Sequence, residues 1–135
     1  MGPTSRPGYD TEPKQAVEYY TKALTLYEKL PESRIQQAET LTDLGTINLA
    51  IDKAVALDNF QKAYALYKEN EGAPRAALLF NIGSIQEGQG QLDAALKSYQ
   101  AADALFSKEE LFDELRSTRA VDRVKKELAK KTGRQ

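Results

Sequence analysis

One helical pattern, written three times, constrains this chain more than any other feature. Ala16, Tyr20 and Ala23 follow one another at intervals of four and three residues. The same spacing returns at Ala56, Phe60 and Ala63, and again at Ala95, Tyr99 and Ala102. The period is 40 and then 39 residues, and each copy continues into a like pair, Leu26-Tyr27, Leu66-Tyr67 and Leu105-Phe106. Small, large, small at i, i+4 and i+7 lies along one helix face, where alanines allow close approach and the ring fills the gap.

A second element repeats beside the first. Leu41-Thr42-Asp43-Leu44-Gly45 matches Leu79-Phe80-Asn81-Ile82-Gly83 at a spacing of 38. A glycine inside a helix costs about 1 kcal/mol relative to alanine, so each marks a place where a neighbouring helix leaves no room for a side chain. Each Leu/Gly helix precedes a copy of the Ala/aromatic/Ala helix, and the unit is therefore a helical hairpin. Pro31-Glu32-Ser33 closes the first helix, with Ser33 placed to cap the next. In Glu71-Gly72-Ala73-Pro74 the glycine ends one helix and the proline opens another. Gly88 and Gly90 mark a hairpin turn, and Ser107-Lys108-Glu109-Glu110 has capping-box spacing. These signals predict helices over about 12–30, 35–51, 53–70, 74–88, 91–106 and 108–131. The last of them carries an apolar stripe of Leu111, Leu115, Thr118, Val121, Val124 and Leu128.

The sequence resembles a tetratricopeptide repeat array. That family's hairpin has a Leu and then Leu-Gly in its first helix, and Ala, Phe or Tyr, and Ala in its second. Leu41, Leu44, Gly45, Ala56, Phe60 and Ala63 fill those places in one repeat, and Leu79, Ile82, Gly83, Ala95, Tyr99 and Ala102 in the next. Residues 12–30 supply only a second helix, so the array opens on a half repeat. The usual period is 34 residues, and the longer one here is like that of extended members of the family. Asn48 and Gln86 stand where an aromatic is usual. The stretch from Gly45 to Ala56 is one residue shorter than that from Gly83 to Ala95, which predicts a tight first hairpin turn. The expected fold is an all-α, helical-hairpin solenoid of about two and a half repeats with a C-terminal capping helix. Residues 1–11 form a flexible lead-in or cloning scar, 12–107 the repeats, 108–131 the capping helix and 132–135 a tail. A capping helix covers the apolar face that a terminal repeat otherwise exposes.

Composition closes off most chemistry. With no His and no Cys, neither a Ser-His-Asp nor a Cys-His site can be built, nor a Cys/His zinc site, nor a disulfide. No calcium loop or phosphate-binding loop is present. Acidic pairs such as Glu109/Glu110, and Glu28 with Glu32, read as solvated surface rather than acid–base machinery. No enzyme, cofactor or metal site is expected. The apolar runs are too short for a spanning helix, which needs about 20 residues, and no signal peptide is evident, so a soluble protein of the cytoplasm or an organelle interior is expected. The near-zero net charge conceals an asymmetry. Residues 116–135 hold eight basic groups against two acidic ones, and the rest of the chain is acidic. Arg116, Arg119, Arg123 and Lys126 offer a possible basic docking surface. With a pI of about 5.6 and no aromatic after Phe112, specific nucleic-acid binding is not expected.

In the family, first helices line a concave groove. The resemblance places Glu39, Thr42, Asp43 and Thr46 there, then Ala77, Phe80, Asn81, Ser84 and Glu87. Asn81 can pair with the backbone of an extended or helical ligand, or instead bond an adjacent helix. Phe80 is an anchor if it faces the groove, and core if the hairpin is rotated by one residue. Tyr19 and Tyr64 are expected to pack between hairpins. Co-chaperone members grip a C-terminal carboxylate with convergent Lys, Asn and Arg. The groove positions here include no Lys or Arg, and Glu39, Asp43 and Glu87 would repel an acidic chaperone tail. The expected function is a protein–protein interaction scaffold or adaptor that holds a partner peptide or helix and could thereby regulate a partner enzyme. The alternative is self-association, as a homo-oligomer, through stacked edge hairpins.

Overall fold

The computed structural model describes residues 12–109 and 114–133. All regular structure among them is helical: α1 Glu12–Glu28, α2 Arg34–Asn48, α3 Lys53–Leu66, α4 Gly72–Gly88, α5 Leu92–Glu109 and α6 Glu114–Lys131. The helices form two compact units divided between Leu66 and Tyr67. In the first unit α2 packs against both α1 and α3; in the second, α5 packs against both α4 and α6. The expected lead-in, residues 1–11, lies outside the described residues.

The repeated motifs form the core of each hairpin. Ala56, Phe60 and Ala63 of α3 are fully buried, as are Ala95, Tyr99 and Ala102 of α5. The glycines explain why. A methyl group on Gly45 would stand 2.6 Å from the Phe60 ring, and one on Gly83 would stand 2.9 Å from the Tyr99 ring. Each ring therefore occupies the space that a side chain would have taken on the facing helix.

Several boundaries differ from the sequence reading. The shortened stretch after Gly45 does not tighten the first hairpin turn, because α2 ends early and residues 49–52 make the connection, against 89–91 in the second hairpin. Ile51 and Asp52 donate their amides to the Asn48 carbonyl, and the Asp52 carboxylate caps α3 through the amides of Ala54 (3.0 Å) and Val55 (3.3 Å). Ser33 does not cap α2; its hydroxyl turns back and donates to the Tyr27 and Leu30 carbonyls, closing α1 instead. Gly72 does not end α3 but is the buried first residue of α4. Arg34 donates to the Leu66 carbonyl at 2.8 Å, where α3 stops.

Ser107 does not open the last helix. Nothing in Ser107-Lys108-Glu109 breaks a helix, so α5 runs on through them and α6 begins at Glu114. The buried stripe of α6 also shifts toward Ser117 and Ala120, with Val121, Val124 and the partly buried Leu128 beside them. These small residues allow α6 to lie close to α5, and Asp103 of α5 fixes the register by accepting from the Ser117 (2.8 Å) and Thr118 (2.7 Å) hydroxyls. Leu111 and the Leu115 side chain, also expected in the stripe, lie outside the described residues.

Candidate protein-interaction surface

The face of α4 opposite its buried stripe carries the residues expected in a groove. Ala77 and Ser84 are exposed, while Phe80, Asn81 and Glu87 are half-buried. Phe80 packs against the core and also borders open space. Its ring meets the Tyr99 ring at 5.3 Å and joins the core, and it also forms the wall of an open cavity. That cavity holds about 230 Å³ and is lined by Ala77, Phe80, Asn81, Phe106 and Arg116. It is smaller than the roughly 300–1,000 Å³ of a small-molecule site. The Arg116 guanidinium lies 4.6 Å from the Phe80 ring centre, so a cation borders Asn81 where the sequence reading placed none.

Glu87 stands nearly two turns further along α4 and is engaged from two helices. Arg123 grips its carboxylate with two bonds, Nε to Oε2 at 2.8 Å and Nη2 to Oε1 at 2.7 Å. The Tyr99 hydroxyl donates to Oε1 at 2.8 Å, and the Arg123 guanidinium also lies 5.9 Å from the Tyr99 ring centre. The bonds from Arg123 hold the Glu87 carboxyl below its ordinary value; burial opposes them, and the bond from Tyr99 adds a lesser lowering. Burial, then the bond to Glu87, pushes the Tyr99 phenol up to about 12. The same carboxylate raises Arg123 above its usual range. Glu87 and Arg123, expected on two separate surfaces, are thus brought together, and the charge of each is matched within this cluster.

The pH dependence of this cluster follows from its direction. A carboxyl with a lowered folded-state pKa contributes stability above its ordinary value of 4.5, and that contribution is lost as pH falls through the folded value. Glu87→Gln is therefore expected to be less stable than the parent at pH 7, by about 1 kcal/mol for a partly exposed bidentate pair. The gap should close as pH drops below 4.5. Thermal melts of both chains at pH 7 and pH 3 check this; an equal gap at both would exclude the role given to Arg123.

The remaining expected residues are placed separately. On α2, Glu39, Asp43 and Thr46 are exposed and Thr42 is half-buried. The Thr42 and Thr46 hydroxyls donate back to the Ala38 and Thr42 carbonyls at 2.8 and 3.0 Å, leaving the two carboxylates as the distinctive groups of that face. On α6, Arg119 and Lys126 point to solvent, while Arg116 and Arg123 turn back onto Phe80 and Glu87. Sequence reasoning missed the Tyr99–Glu87–Arg123 cluster and the role of Asp103. A signal for the first existed, because a buried Tyr in place of Phe needs a partner for its hydroxyl.

The hairpin pairing and the ring-into-glycine packing define an all-α helical repeat fold of the kind that presents helix faces to other proteins. Residues 10–69 match the family model described as tetratricopeptide repeat. The crystal structure of aspartyl phosphate phosphatase F from Bacillus subtilis is similar in fold, with a TM-score of 0.78 at 21% identity. The match covers 93% of this chain and 33% of that one, so the chain spans about a third of that structure's length. No curated protein matches the sequence. The repeat match and the helical-repeat fold together support a protein-binding role. No helix among the described residues is long and apolar enough to cross a membrane.

Proposed function

We propose that this domain is an interaction scaffold that binds a partner peptide or helix on the outer face of α4. The observation that carries this reading is the open cavity between Phe80 and Phe106, with the Asn81 amide and Arg116 at its rim. Apolar walls would take one anchoring side chain of the partner, and Asn81, which can donate and accept, would pair with the partner's backbone. Glu39 and Asp43 on α2 add a second, acidic face that favours neutral or basic segments. Occupancy of this face would give the domain a means of regulating a partner enzyme. Self-association by end-to-end stacking is less well supported, because α6 turns Arg119, Lys125 and Lys126 outward and stacking would bury them unpaired.

A peptide selected from a displayed library on the full chain provides the test. Phe80→Ala is expected to weaken its binding about thirtyfold, as for an anchor worth about 2 kcal/mol, and Asn81→Ala about tenfold. Ala77→Glu, at an exposed position, would block the cavity without touching the core. Far-UV circular dichroism confirms that each variant is folded. Binding by titration calorimetry that ignores all three substitutions would remove the site.

A further inference from the structure

The helix α6 carries its cations in a row. Arg116, Arg119, Arg123, Lys126 and Lys130 follow one another at intervals of three, four, three and four residues, and all five are exposed. At about 100° per residue they span about 80° of the helix circumference, on the side away from the buried Ser117, Ala120, Val121 and Val124. The row is about 21 Å long. Helix stability does not account for it. Like charges three and four residues apart repel, and Arg116 stands in the first turn of α6, where the macrodipole disfavours a cation.

The contacts of the row set where it points. Arg116 meets the Phe80 ring and Arg123 grips Glu87. Phe80 and Glu87 are seven residues apart on α4, as Arg116 and Arg123 are on α6, so the two helices run side by side in the same direction. The row therefore begins at the rim of the cavity and continues along one edge of the α4 face. Arg123 is matched by Glu87, and Lys130 lies 3.9 Å from Glu127. Arg119 and Lys126, about 10.5 Å apart along the helix, are in no ion pair among the described residues.

We infer that the partner segment bound on α4 is an acidic amphipathic helix, which seats one apolar side chain in the cavity and lays its carboxylates along Arg119 and Lys126. This rests on the reading of α4 as the partner-binding face and adds the partner's charge and register. Arg119 and Lys126 lie three and ten residues beyond Arg116. A helix aligned with α6 meets them with acids three or four, and ten or eleven, residues from its anchor. Complementary charge of this kind fixes register and suppresses wrong partners. The row is one helix face wide, with exposed Asp122 and Glu127 on its two flanks. These acids would repel the phosphates of a duplex or a bilayer, which press on a broad surface. A single helix is narrow enough to lie between them.

The test is a displayed library of helical peptides, sorted in parallel on the full chain and on its Arg119→Glu/Lys126→Glu variant, both shown folded by circular dichroism. Binders to the parent chain should carry an apolar anchor and an excess of Asp and Glu at the two offsets. Binders to the variant should keep the anchor and carry Lys or Arg there instead. In fluorescence anisotropy at low salt, a parent-selected peptide should bind the double variant at least tenfold more weakly. Its affinity for the parent should fall severalfold between about 50 and about 300 mM salt. Ala77→Glu should abolish both sets of binders. Binders that depend on Ala77 but show no acidic excess overturn this inference and leave the α4 site standing. A library with no binder to the parent, or binders indifferent to Ala77→Glu, overturns the site as well. A DNA duplex or a phosphatidylserine vesicle bound more tightly than the peptides through Arg119 and Lys126 would also overturn the inference. So would a dimer of the chain alone that the double variant loses.

Discussion

Phe60→Ala is expected to remove about 3–5 kcal/mol of stability, the range for emptying a fully buried phenylalanine site. The ring has no exposed surface, is pressed into the backbone of α2 at Gly45, and is the largest buried side chain of the first unit. Truncation leaves a void bounded by helix backbone, which cannot collapse as flexible side chains would. Against a total stability of about 5–15 kcal/mol for a domain, that loss is a large fraction. Urea unfolding followed by circular dichroism should show a much lower midpoint, and Phe60→Leu a smaller shift. A midpoint shift for Phe60→Ala equivalent to under 1 kcal/mol would mean the hairpin does not depend on this seat.

The second large effect comes from adding atoms instead of removing them. In an open helix, glycine to alanine gains about 1 kcal/mol. At Gly45 the new methyl would lie 2.6 to 2.9 Å from three atoms of the Phe60 ring, and a buried ring has nowhere to move. At Gly83 it would meet the Tyr99 ring at 2.9 Å and the Ser98 Cβ at 3.2 Å, with Tyr99 also tethered through its hydroxyl to Glu87. Overpacking of this kind costs about 1–3 kcal/mol, so both substitutions should destabilise despite the gain in helix propensity. Gly88→Ala provides the internal comparison, because nothing lies within 4 Å of its position, and it should be neutral or slightly stabilising. Combining Gly45→Ala with Phe60→Leu should recover part of the loss, giving a coupling of about 1 kcal/mol or more between two residues in direct contact. Strictly additive effects would contradict the packing.

Much of this was legible in the sequence because it depends on local period and residue size. The spacing of Ala56, Phe60 and Ala63 fixes one helix face, and the intrahelical glycines require a close neighbour, so the two core hairpins could be read directly. Features set by tertiary alternatives were not legible. Ser33 has a side chain that can cap either neighbouring helix, and the turn geometry sends it to α1. Ser107 fits a capping box equally well inside a continuing helix, so spacing could not separate α5 from α6. The candidate surface was half legible. Phe80 and Asn81 were identified by register, but Phe106 and Arg116, which close the cavity with them, come from other helices. Glu87 and Arg123 are 36 residues apart, and no periodic pattern links them.

The pairing of each helix with its sequence neighbour also governs how the chain comes to be folded. The contacts of α1 with α2, α2 with α3, α4 with α5, and α5 with α6 all join segments adjacent in sequence. Search among such partners closes only short loops, so collapse should be rapid, on the microsecond-to-millisecond scale of helical proteins. Opening should be graded in turn, with amide exchange fastest in α1, where no side chain is buried, and slowest around Phe60 and Tyr99. Fraying should therefore run from α1 inward, well ahead of any loss of the two ring-into-glycine seats.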